Sequence, residues 1–141
     1  MKIRNKLLLD RFKGPGLCEV CGKLCRNREP MHLISRGAGG PDIAMNLLAA
    51  GSTPLWECTC HSANHQKTDG RIVTKEQLVE IVAKREQVRP EDVLTIINWF
   101  MLLPKGLTRA QIEERCVYTE FGFALAWKAA RRTIDELQLK D

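Results

Sequence analysis

The apolar positions of this 141-residue chain follow two different rhythms. Beyond residue 72 they recur at helical spacing. Thr74 followed by Gln77 has the form of a capping box, and Leu78, Ile81 and Val82 come next, so a helix is predicted to start there. Pro90 suits a first helical position, and Glu91 and Asp92 suit the positive end of a helix dipole. Val93, Ile96, Ile97 and Phe100 then fall at i, i+3, i+4 and i+7, one apolar face. Pro104 and Gly106 end that helix, and Thr108 with Gln111 repeats the capping-box pattern. Phe123, Trp127, Ala130, Ile134 and Leu137 trace one stripe of a last helix of roughly four turns or more. This half predicts a small helical bundle with no catalytic constellation. Its Arg131-Arg132 pair reads as a solvated helix face and its lone Cys116 as a small buried hydrophobe.

The first 72 residues have another character, with Cys, Gly, Pro and His in short, turn-rich pieces. Met31-His32-Leu33-Ile34-Ser35 is a strand-like run, and Asn46-Leu47-Leu48-Ala49 predicts a second strand. Between them, Arg36 to Asp42 is rich in glycine but lacks the Lys-Ser/Thr ending of a phosphate-binding P-loop. It predicts a flexible link between the two strands. No internal repeat or low-complexity tract interrupts the chain. The expected class is α+β, with residues 1–72 as one domain and 73–141 as a helical domain or extension.

Composition narrows the functional classes. Apolar residues make up 44% and charged residues 28%, a globular balance, and the formal charge is +5. Residues 1–72 hold eleven Lys/Arg against six Asp/Glu, and the remainder holds eleven of each. The whole excess therefore lies in the first half, as expected of a surface that faces a polyanion; solubility is the plainer alternative. The N-terminus has only Leu7-Leu8-Leu9 before Asp10, far short of a secretion signal, and no apolar run approaches a membrane span. The expectation is a soluble protein of a reducing cytoplasm, where six cysteines are better read as metal ligands than as disulfides.

The candidate chemistry sits in that first half. Cys18-x2-Cys21 with Cys58-x-Cys60 offers four thiolates from two knuckles, enough for a closed tetrahedral structural zinc site; Cys25 is the alternative to Cys58. His61 and His65, at i and i+4 of a helix, project from one face and can bind one divalent cation. All three histidines of the chain fall between residues 32 and 65, beside the cysteines.

The order C-x2-C, His32-Leu-Ile-Ser-Arg-Gly-Ala-Gly-Gly-Pro-Asp42, Asn46-Leu47 and Cys60-His61-x3-His65 resembles the HNH endonuclease family. The likeness is closest to its compact, zinc-stapled phage and prophage members, and it covers roughly Cys18 to Gly70. It implies a ββα-metal core in 1–72, in which a β-hairpin and a following helix grip one catalytic metal. His32 corresponds to the general base, and Asn46 to the residue that orients the base and braces the loop. His61 and His65 correspond to the metal ligands, and Cys18, Cys21, Cys58 and Cys60 to the zinc knuckles. Two departures stand out. Met31 takes the place of the usual Asp or His ligand before the base, with Glu29 or Asp42 as candidate replacements. The stretch around Gly51-Ser52-Thr53-Pro54-Leu55-Trp56 looks like a loop insertion.

The resemblance implies hydrolysis of a phosphodiester in double-stranded DNA, with Mg²⁺, Mn²⁺ or a similar divalent ion and structural Zn²⁺. His32 is then the base, and Arg36, Lys67 and Arg71 contact backbone phosphates. Two other readings are a zinc-containing DNA-binding module with a degenerate, inactive nuclease site, and an adaptor whose helical half docks phage packaging or recombination proteins.

Overall fold

The computed structural model describes residues 2–53, 58, 60–61, 67–68, 71–117 and 124–137. These residues make an α+β arrangement. Asn5 caps a short first helix, α1 (Lys6–Asp10), by accepting the Leu8 N–H. Three antiparallel strands follow, β1 (Gly14–Leu17), β2 (Leu24–His32) and β3 (Leu47–Thr53), in the order β1-β2-β3. A two-stranded ribbon of β4 (Lys67–Thr68) and β5 (Arg71–Ile72) leads to the helices α2 (Lys75–Glu86), α3 (Pro90–Met101), α4 (Arg109–Val117) and α5 (Ala124–Glu136).

The helices start where the caps say they should. Thr74 and Gln77 exchange both capping-box bonds at α2 (2.9 and 3.2 Å), and Thr108 and Gln111 do the same at α4. Pro90 opens α3, whose Val93, Ile96, Ile97 and Phe100 are fully buried. Cys116 is buried, and burial pushes its thiol up to about 11.

The strands depart from expectation in their limits. β2 starts at Leu24 and ends at His32 instead of running through Ser35, because a side chain replaces the ladder. The Ile34 N–H is taken by Asn46 Oδ1 (2.8 Å), and the Ile34 carbonyl accepts from Asn46 Nδ2 (3.0 Å). β3 continues through Gly51, Ser52 and Thr53, where a loop insertion was expected; Gly51 stands opposite Arg28 in the ladder.

β3 is buried on both faces. Met31, Leu48 and Ala50 belong to a core that also takes in Leu78, Val82, Ile96, Phe100, Ile112 and Ala130 of the helices. Leu47 and Ala49 pack on Leu8, Phe12 and Ala44 on the other side. One apolar core therefore joins residues of the first 72 to the helical half. Arg85 of α2 adds a polar tie. Its Nη1 donates to both Glu19 oxygens and to the Leu47 carbonyl, each at 2.9 Å, while Glu19 accepts from the Ala49 N–H. The clamp holds the outer edge of β3 against the cysteine knuckle. No helix among the described residues is long and apolar enough to cross a membrane.

Candidate active site and metal centre

The β2–β3 connection builds the first part of the site. His32 ends β2, opposite Leu47, and the Leu33 N–H donates to the Asn46 carbonyl (2.9 Å). The chain then turns sharply. Ser35 caps a single 3-10 turn over Arg36–Ala38, and the Gly40 N–H returns to the Ser35 carbonyl (2.8 Å). Gly40 lies so close to Ile34 that a Cβ on it would stand 1.7 Å from the Ile34 carbonyl oxygen. Only glycine fits there. Asn46, fully buried, braces the turn from inside by donating to the carbonyls of Ile34 and Pro41 and accepting from the Ile34 N–H. Its amide is thereby committed to backbone, and the side chain that reaches His32 is another one.

That side chain is Asp42. Its carboxylate is 0% exposed; Oδ1 lies 2.8 Å from His32 Nε2, and Oδ2 accepts from Arg36 Nη2 (2.9 Å) and from the Asn5 N–H (3.0 Å). Burial by itself would raise the Asp42 pKa. Hydrogen bonds from Arg36, His32 and the Asn5 N–H outweigh it, and the net shift is downward, so Asp42 is an anion at neutral pH. His32 shifts downward as well: burial disfavours the imidazolium, and the nearby charge of Asp42 only partly opposes that. The imidazole is therefore neutral at pH 7. Its Nε2 faces the Asp42 carboxylate, and among the described residues Nδ1 has no partner. The N-terminal segment is strapped across this pair. Asp42 N–H donates to Ile3, Arg4 Nη1 donates to Gly40, and Asn5 Nδ2 donates to the Glu136 carbonyl at the end of α5.

The second part lies at the other end of the hairpin. The knuckle turn closes with Cys18 N–H on the Lys23 carbonyl and Gly22 N–H on the Cys18 carbonyl, both 2.8 Å. It brings Cys18 and Cys21 to Cys58 and Cys60, with all four ligand atoms within 4.8 Å of one another. A tetrahedral zinc with Zn–S bonds of about 2.3 Å holds its sulfurs about 3.8 Å apart, so the four thiols could hold such a metal. The electrostatics agree. A hydrogen bond from Cys60 favours the Cys18 thiolate, burial opposes it, and N–H groups of Gly51, Cys21 and Val20 add to it, bringing Cys18 down to about 4. Cys21 and Cys58 are raised, first by burial; the Cys18 charge adds to this at Cys21, and at Cys58 a hydrogen bond with Cys25 adds to it ahead of the Cys18 charge. The Cys18 thiolate is favourable and those of Cys21 and Cys58 are opposed, and a cation is what would let the thiols ionise together. Cys25, the alternative fourth ligand, sits outside the set with its Sγ 3.4 Å from that of Cys58.

The remaining predicted residues are distributed as follows. Met31 is 1% exposed and belongs to the apolar core. Glu29 is exposed, and the oxygens of Asp42 are occupied as described. Arg36 spends part of its guanidinium on Asp42 while its side chain stays 49% exposed. The His61 N–H donates to the Gly51 carbonyl (3.1 Å), four residues along β3 from Leu47 and hence roughly 13 Å from the register of His32. His65 lies outside the described residues, as do the side chains of Lys67 and Arg71. Sequence reasoning overlooked the roles of Asp42, Asn5, Glu19 and Arg85. A carboxylate ten positions after a candidate base was the one available signal for Asp42.

Comparison with protein-family models, with curated proteins and with solved structures found no match to this chain.

Proposed function

We propose that this chain is a metal-dependent DNA endonuclease of the HNH type in which His32 is the general base. The observation that carries the reading is a neutral imidazole at the end of a β-hairpin, with Nε2 against a buried carboxylate and, among the described residues, no partner at Nδ1. A base for water at pH 7 has to be unprotonated and fixed, with one nitrogen left over for the water, and this supports His32 in that role. The Asn46-braced turn, the four-cysteine cluster at the opposite end of the hairpin, and the basic excess of residues 1–72 are the accompanying features.

Phosphodiesters resist hydrolysis because an anionic phosphate repels nucleophiles and an alkoxide leaves poorly. His61 and His65 are the residues that would hold a divalent ion. Such an ion supplies charge neutralisation at the phosphate and at the departing oxygen. The protein's own part is to take the proton of the attacking water at His32 and to track the phosphate backbone through Arg36, Lys67 and Arg71. The cysteine cluster with zinc serves as a staple.

The expected test outcome is nicking of supercoiled plasmid in Mg²⁺, Mn²⁺ or Ni²⁺ that EDTA stops. His32→Ala should lower it by at least ~10²-fold while the protein still folds, with some loss of stability from the unpaired Asp42, and binds DNA near wild type. Undiminished cutting by His32→Ala refutes the assignment. Two observations favour a second reading, binding of DNA without cleavage. Met31 stands in the core where a metal ligand is usual, and the His61 backbone lies at the far end of β3 from His32. Salt-sensitive DNA binding with no nicking in any of the three metals would select that reading.

A further inference from the structure

Asp42 is the residue through which the fold controls His32, and its two oxygens are not equivalent. Oδ2 accepts two donors that cannot be turned into acceptors, the Asn5 backbone N–H (3.0 Å) and Arg36 Nη2 (2.9 Å). Oδ1 faces His32 Nε2 at 2.8 Å, with Arg36 Nε more distant at 3.4 Å. We propose that Asp42 is a positioning residue that locks His32 in the Nε2–H tautomer and so reserves Nδ1 as its proton-accepting atom. The chemical meaning of that lock rests on the nuclease reading above, but the lock itself does not.

The argument is one of donor and acceptor matching. An ionised carboxylate is acceptor-only, so the imidazole nitrogen against it must bring the hydrogen. Rotation of the carboxyl cannot alter this, since both oxygens accept. Ring rotation is opposed too: the His32 side chain is only 14% exposed, and turning the ring would leave Asp42 Oδ1 without its imidazole donor in a buried site. Asn46 cannot substitute, because its amide oxygen and nitrogen are engaged by Ile34 and Pro41.

Asp42→Asn turns this into a sharp experiment, since the change is nearly isosteric. The two strong donors at Oδ2 require the amide oxygen to take that position, which puts the NH2 group against His32 Nε2. Nε2 must then become the acceptor, and the proton moves to Nδ1. Long-range ¹H–¹⁵N spectra of the zinc-loaded 141-residue chain, with ¹⁵N-histidine and His32→Gln for assignment, read the tautomer directly. The expected result is a protonated Nε2 in the wild type and a protonated Nδ1 in Asp42→Asn. Plasmid nicking should fall on the order of 10²–10⁴-fold in the variant, as for a base held in the wrong tautomer. DNA affinity should stay near wild type. A wild-type His32 protonated at Nδ1 overturns the proposal, and so does an Nε2–H tautomer that persists in a folded Asp42→Asn. If the variant fails to fold, the wild-type spectrum decides. Absence of nicking in the wild type would defeat the nuclease reading, and the spectra would still decide whether Asp42 sets the tautomer.

Discussion

Replacing Gly51 by alanine drives a methyl group into the cysteine cluster. The added Cβ would stand 2.1 Å from Cys58 Sγ and 2.6 Å from Cys25 Sγ, against an ordinary contact of about 3.5–4.0 Å. Both thiols are buried and lie 3.4 Å from each other, so neither can move aside without disturbing the other. Overpacking of a filled site costs about 1–3 kcal/mol, and for a domain of this size each kcal/mol lowers the melting temperature by about 4 °C, so a drop of about 4–12 °C is expected. The loss should also depend on zinc. Displacing Cys58 spoils one of the four thiols able to hold the ion, and an ion that binds only the folded state stabilises in proportion to the logarithm of its affinity. The difference in melting temperature between zinc-loaded and chelated protein should therefore shrink in Gly51→Ala. Gly37→Ala is the control, because a Cβ there meets nothing within 4 Å. Its melting should stay at or slightly above wild type. Calorimetric melts with and without chelator, together with metal analysis, make the comparison. Wild-type melting and full zinc content in Gly51→Ala would refute the packing account and the ligand set with it.

Two further outcomes are expected. Cys58→Ser should lose zinc in competition with a chromogenic chelator, while Cys25→Ser should weaken it by no more than about 10-fold; equal losses would contradict the Cys18, Cys21, Cys58 and Cys60 set. Stability should decline with acid in two steps. The folded pKa of His32 lies below the unfolded one, so the unfolded chain protonates first and stability falls as pH drops below about 6.5. Asp42 is depressed as well, so its contribution is intact above about pH 4 and is lost as pH falls through its lower folded value. Urea titrations of wild type and His32→Asn at constant zinc should show the upper step in the wild type alone.

Much of the architecture was legible in the chain because its causes are local. A Thr followed three residues later by Gln satisfies two orphan helix donors wherever it stands, and Thr74 and Thr108 both do so. Apolar spacing marked Val93 to Phe100 as a buried face, and the Cys18-x2-Cys21 knuckle announced a metal-capable turn. The strand limits were harder to read, since Ile34 leaves the ladder for a side chain twelve residues away and no local pattern records that exchange.

What the sequence determined by itself was the set of groups able to do chemistry: three histidines, six cysteines and a basic first half. Tertiary structure decided which of them are paired. Asp42 meets His32, Glu19 meets Arg85 across 66 positions, and Gly51 yields its side-chain volume to two thiols. The physical reason is that a buried charge or polar atom must find a partner, and the partner is whichever donor the packed fold brings within about 3 Å, at any distance along the chain.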